Sequence, residues 1–157
     1  MFRQIAVVTS LALALAGCSQ DAGSYDQYVA DYEQELLEMQ QANDAHEAAV
    51  SSADNLSAVT AEEDDHYAQM QTMMEEMMGT SETMEQCDMM DSMDMTGMTD
   101  SMEQEMEEHH DAMTNAASME DAMLEETEHQ STMDEMFGSM EYMDSQMSGM
   151  MGTEMGC

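Results

Sequence analysis

From residue 25 onward, a stripe of mostly apolar positions, interrupted by a few Asn, His, Glu and Thr, returns in alternating steps of four and three. The first run is Tyr25, Val29, Tyr32, Leu36, Met39, Asn43, His46, Val50 and Ala53. The second starts at Leu56 or Val59 and continues through Glu63, His66, Met70, Met73 and Met77, with Met84 and Cys87 on the same register. A third holds Met95, Thr99, Met102, Met106, His109, Met113 and Ala116. The fourth holds Met119, Ala122, Glu126, His129, Met133, Met136, Met140, Met143, Met147 and Met150. A spacing averaging 3.5 residues predicts helices that pack nearly antiparallel through one inward stripe. The chain has no Pro and few β-branched residues, which favours helix over strand. Turns are expected near Asn55 and Ser57, and again near Ala117 and Ser118.

The two halves of this pattern are copies. Laying Met39–Met84 on Met102–Met147 is a shift of 63 residues, and it superimposes His46 on His109 and His66 on His129. It also brings Glu62 and Glu63 onto Glu125 and Glu126, and Met70, Met73, Met77 and Met84 onto Met133, Met136, Met140 and Met147. Such self-similarity marks a duplicated supersecondary unit. The expected fold is all-α, a four-helix bundle made of two duplicated helical hairpins over 25–79 and 101–150. A flexible Met- and Asp-rich connector over 80–100 is expected to join them, and a loose tail over 151–157 to follow.

Composition changes what the core must be. Beyond residue 17 there are 25 Met against four Leu, three Val, one Phe and no Ile or Trp. Methionine therefore takes the place usually held by branched aliphatics, and it fills space without specifying shape. The chain has 36 Asp and Glu but a single Lys or Arg, Arg3, for a formal charge of −35. Nucleic acid is excluded as a partner, because phosphate contacts need Lys and Arg. Charge of this size opposes compaction and calls for cations, whether from a saline medium or as bound metal.

The first 17 residues read as a signal peptide, with Arg3 followed by an apolar run from Ile5 to Ala16 that is too short to span a bilayer usefully. It closes on Leu15-Ala16-Gly17-Cys18, which resembles the lipobox of bacterial lipoproteins. That resemblance implies cleavage before Cys18, lipidation of its thiol and a tether over 18–24. Ser19 after the cysteine implies, by the same resemblance, the outer membrane, with the body facing the periplasm. An acylated terminus would anchor the protein stably to the membrane.

The retained histidines carry the chemistry. His46 and His66 each lie ten residues from the turn expected near 56, and His109 and His129 repeat this in the second half, so all four should share one level. Glu63 and Glu126 precede His66 and His129 by three residues, on the same helical face. Four imidazoles and two carboxylates on inward positions suit Cu(II), Zn, Fe or Mn. A buried Glu–His layer that only fixes register is the plainer alternative, although unpartnered buried polar groups are costly. The two Glu-x-x-His pairs resemble half of the ferritin-like di-iron motif, with His46 and His109 where that family has carboxylates. The resemblance implies, as an alternative function, a di-metal redox protein.

Methionine spacing points to softer ions. Thioethers prefer Cu(I) and Ag(I) and need no deprotonation. Met70, Met73, Met133 and Met136 flank the histidines, and the connector adds Met84, Met89, Met90, Met93, Met95 and Met98 beside Cys87. This distribution resembles the Met/His-rich copper- and silver-binding proteins of the periplasm. Core filler and oxidant scavenging as sulfoxide are the competing readings. Cys87 and Cys157 could form a disulfide outside the cytoplasm, or either could serve as a soft ligand.

No nucleophile–base pair, phosphate loop or organic-cofactor motif points to an enzyme. The expectation is a membrane-anchored binder of copper, Cu(I) or Cu(II), acting in buffering, storage, detoxification or handover to a partner. Its expected ligands are His46, His66, His109, His129, Glu63 and Glu126, with Met70, Met73, Met133 and Met136. The remaining alternative is a structural acidic lipoprotein of the envelope.

Overall fold

The computed structural model describes residues 24–85 and 95–150. The signal segment, Cys18, Cys87, Cys157 and the tail over 151–157 lie outside the described residues. Four helices form the fold: α1 (Ser24–Ser51), α2 (Leu56–Glu85), α3 (Met95–Thr114) and α4 (Met119–Met150). They make a four-helix bundle, with no strand among the described residues. α1 packs on α2 and α4, α3 packs on α2 and α4, and α2 touches α4 lightly across the diagonal. Short links after α1 and α3 force antiparallel neighbours. Thr80 Oγ1 donates to Glu35 across α2 and α1 at 2.9 Å, and Gln40 Nε2 donates to Glu141 across α1 and α4 at 2.8 Å.

The duplication extends to the helix ends. α1 stops at Ser51 and α3 at Thr114, α2 starts at Leu56 and α4 at Met119, each pair one repeat apart. The residue before each second helix is its N-cap. Asn55 Oδ1 accepts from the Ala58 amide at 3.2 Å. Its counterpart Ser118 accepts from the Asp121 amide at 3.1 Å and donates to the Asp121 carboxylate at 2.8 Å. These caps satisfy amides that the first helical turn leaves open.

The helices run further than the expected hairpin limits. α2 continues through Thr80 to Glu85, and α3 already begins at Met95, within the stretch expected as connector. Nothing in 80–85 or 95–100 breaks a helix as Pro would, and Gly97 lies in the first turn of α3, where its cost is low.

A polar layer divides the interior. On the side of the turns lies a small cluster of Val50, Val59, Met113 and Ala122. On the other side lies the main core, which includes Met39, Met70, Met74, Met77, Met102, Met106, Met133, Met140 and Met147, with Tyr32, Leu36 and Phe137. The inward stripe departs from the expected one below the layer. Met74 and Phe137 are buried, whereas Met73 and Met136 are half-buried at the margin of the core. From His66 and His129 the buried positions step by four, four and then three, through Met70 and Met74 to Met77 and through Met133 and Phe137 to Met140, an order that keeps the mean spacing nearer the 3.6-residue turn of a straight helix than a strict 3.5-residue repeat does.

Candidate metal centre

α1 and α3 each contribute one histidine to the polar layer, and α2 and α4 each contribute a glutamate and a histidine. His46, His66, His109, His129, Glu63 and Glu126 are all at most 3 % exposed. Four of them close a ring of alternating nitrogen and oxygen. His46 Nε2 lies 3.3 Å from Glu63 Oε2 and 3.1 Å from Glu126 Oε2. His109 Nε2 lies 3.2 Å from the same Glu63 oxygen and 3.6 Å from the same Glu126 oxygen. The six expected side chains are thus brought to one level, but the ring joins only four.

Each ring carboxylate meets the imidazoles of α1 and α3, and not the histidine three residues on in its own helix. His66 instead stacks on His46, with ring centroids 4.0 Å apart, and His129 stacks on His109 at 3.7 Å. The two stacks meet edge to face, His46 to His109 at 5.8 Å and His66 to His129 at 6.1 Å. Met70 and Met133, one turn beyond His66 and His129, are fully buried, while Met73 and Met136 stand further out.

The layer is electrically polarised. Burial opposes charge on His46, but the carboxylates of Glu126 and Glu63 outweigh it and lift its pKa to about 9. Burial likewise opposes charge on Glu63, yet the imidazoles of His109 and His46 hold its carboxyl well below the usual range. Glu126 is lowered too, chiefly by His46 against the effect of burial. His66 and His129 are pushed down to about 3, first by burial and then by the neighbouring histidines, so both are neutral at ordinary pH.

Several polar atoms of this layer lack a hydrogen bond. Both ring nitrogens of His46 and of His109, both Glu63 oxygens, Glu126 Oε2, and Nε2 of His66 and His129 are buried without a bond of acceptable geometry. Close approach without alignment is what donor atoms show when their lone pairs face a common point. The sides of 3.1 and 3.6 Å that Glu126 makes with the two imidazoles match the separation of about 2.8–3.6 Å between donors sharing a first-row metal at about 2.0–2.2 Å. His46, His109 and Glu126 each bring one donor atom within 4.8 Å of the others; Glu63 stands outside that set and meets the two imidazoles from the opposite side at 3.2–3.3 Å.

Further contacts surround the ring, and the inward stripe did not reveal them. His110, adjacent to His109 but off the stripe, lies with Nδ1 3.3 Å from Glu63 Oε1 and stacks on Tyr67 at 4.5 Å. In the other half, Gln130 Nε2 donates to Glu126 Oε1 at 2.8 Å, and Asn43 Nδ2 donates to Gln130 Oε1 at 2.7 Å. Glu105 and Glu125 meet the histidines crosswise. Glu105 Oε1 is 3.2 Å from His129 Nδ1, and Glu125 Oε1 is 3.5 Å from His109 Nδ1. The Glu105/His109 and Glu125/His129 spacings of four residues were the available signal. They predict contacts along each helix, whereas the contacts run between helices.

No family model matches this chain, and no curated protein or solved structure is similar to it.

Proposed function

We propose that this chain is a metal-binding bundle of the cell envelope that takes up copper, for buffering, storage or detoxification. The observation that carries the reading is the buried set of His46, His109 and Glu126, whose donor atoms lie within 4.8 Å of one another, with the Glu63 carboxylate beside both imidazoles. Two imidazoles and two carboxylates suit Cu(II), the tightest-bound divalent ion of the series, and also Zn and Fe(II). Neutral His66 and His129, with Met70 and Met133 one turn away, offer the softer donors that Cu(I) or Ag(I) prefers. In this reading the lipobox-like Leu15–Cys18 tethers the body to the outer membrane. The Met-rich segment around Cys87 adds soft ligands for handover to a partner.

Without metal, the proton on His46 balances part of the ring's negative charge. Loading an ion displaces that proton, so uptake should release protons and tighten as pH rises. The test is titration of the protein in high salt with Cu(II), and with Cu(I) under reducing conditions, each against a chelator of known affinity. Tight uptake of one ion per chain, lost in His46→Ala and His109→Ala variants that keep their helical circular dichroism, is the expected result. Failure of the wild type to compete, with full helicity in salt alone, would leave a structural layer.

A di-metal redox centre is the second reading. It is favoured by the paired Glu-x-x-His segments of α2 and α4, which meet in one layer. It predicts an oxo-bridged diferric absorption after Fe(II) and O₂, which a copper-buffering protein would not give.

A further inference from the structure

The ring is sealed from solvent, so an ion needs a way in, and the two sides of the bundle differ in what they offer. A cleft of about 360 Å³ opens between α3 and α4 and is lined by Glu105, Glu108, Glu125, Glu128, His109 and His129. The four carboxylates grade inward. Glu108 and Glu128 are exposed at the rim. Deeper in, Glu105 and Glu125 have side chains 21 % and 30 % exposed. At the floor stand the buried imidazoles of His109 and His129.

His109 joins the two compartments. Its Nε2 belongs to the ring, while its Nδ1 is beside Glu125 at the cleft floor, buried and without a hydrogen bond. His129 turns Nδ1 toward Glu105. Facing Glu105, the neutral His129 imidazole carries its proton on Nδ1, which leaves the lone pair of its Nε2 pointing inward. The opposite hairpin keeps the histidines but not the cleft acids. Positions equivalent to Glu105 and Glu108 are Ala42 and Ala45, and only Glu62 and Asp65 remain as counterparts of Glu125 and Glu128.

We propose that the α3/α4 cleft is the cation inlet of the bundle, in which Glu108 and Glu128 capture a divalent ion that passes Glu105 and Glu125 to the His109 imidazole. This rests on the metal-binding reading of the ring. Aligned carboxylates in a cleft focus the field and raise association rates by roughly 10-fold or more. The width of the passage alters loading and unloading together and leaves the equilibrium alone, whereas its charge acts mainly on loading.

Stopped-flow uptake and chelator-driven release of Cu(II), with Zn(II) as a second probe, test this on the full chain at fixed ionic strength. The variants are Glu108→Gln/Glu128→Gln, the plug Ala112→Leu at the cleft wall, and the control Glu47→Gln/Asp65→Asn, which removes two exposed acids from the α1/α2 hairpin. The inlet pair is expected to slow uptake roughly 10-fold with release little changed, and the plug to slow uptake and release together with Kd unchanged, while the control changes neither. Equal slowing by inlet pair and control would reduce the effect to bulk charge and overturn the inlet. A Kd shift without slower uptake would make the rim acids ligands, and would also overturn it. If the wild type loads no ion, the metal-binding reading itself falls, and the inlet with it. Normal loading with unchanged rates in the variants removes the inlet alone.

Discussion

Within the polar layer the two hairpins present the same inner residues and different outer ones. Inside, His46/His109, Glu63/Glu126 and His66/His129 occupy matching places in the layer, all buried. One shell out the match ends. Glu63 is backed by His110, where the other half has Glu47, and Glu126 is backed by Gln130, where the other half has Tyr67. The charged layer tolerates little change, because a buried charge without its partner costs several kcal/mol, whereas the apolar interior does vary, as at Val50/Met113 and Met74/Phe137. The outer contacts are half-solvated, and two chemically different solutions can each hold a carboxylate in place.

Removing a ring carboxylate is the harshest way to break this comparison. Glu63→Leu strips His46, His109 and His110 of one shared partner and should cost about 3–5 kcal/mol in denaturant unfolding of metal-free protein in molar salt. Glu126→Leu, which faces two imidazoles, belongs at the lower end of that range. Equal losses would mean that His110 contributes nothing to the difference.

Acid and base titration probes what the halves share. His66 and His129 have folded pKa values near 3, below their ordinary 6.5, so their contribution is complete above pH 6.5 and is lost as pH falls toward 3. His46, raised to about 9, contributes fully below 6.5 and loses that contribution as pH rises toward 9. Metal-free stability in high salt should therefore peak near pH 6.5, and by pH 5 should have lost about 2 kcal/mol for each of His66 and His129. A flat profile between pH 5 and 9 would show that the layer's histidines do not titrate with folding. High salt matters here, because protonation also eases the mutual repulsion of the surface carboxylates.

The gentlest comparison sets His110 against its counterpart. His110→Gln removes a half-buried contact to Glu63 and the stack on Tyr67, and should cost about 1 kcal/mol. Glu47→Gln, on an exposed site, should stay within about 0.5 kcal/mol. Thermal melts of the two variants side by side would decide it, and indistinguishable values would place His110 among the ordinary surface residues.

The fold was legible because the heptad-like spacing and the 63-residue duplication reinforce one another. A helix pattern repeated with its turns fixes hairpins, and two hairpins with one inward stripe leave little besides a bundle. The common level of the histidines followed from counting residues to the turn. The ring did not follow, since Glu63 and His66 share a face and invite pairing along the helix, whereas packing sets Glu63 against His46 and His109. The shift from Met73 to Met74 and from Met136 to Phe137 escaped for a related reason. Spacing alone does not order the steps of four and three when both neighbouring positions are apolar. His110, Glu105 and Glu125 lie off the stripe, where in a chain with 36 acidic residues a functional carboxylate looks like any other.

The alternation of the ring also makes the hairpins interchangeable parts. Each contributes one imidazole nitrogen and one carboxylate oxygen to the ring, and a half-turn about the bundle axis carries one contribution onto the other. The four ring residues all lie in the helices, so joining α2 to α3 in one chain keeps two complementary pieces at high effective concentration. A chain nicked between α2 and α3 keeps every ring residue and both hairpin turns, and its fragments can reassemble the same interior. In crowded solution two intact chains can trade hairpins and bury the same surfaces, so exchange between copies is built into the symmetry of the core.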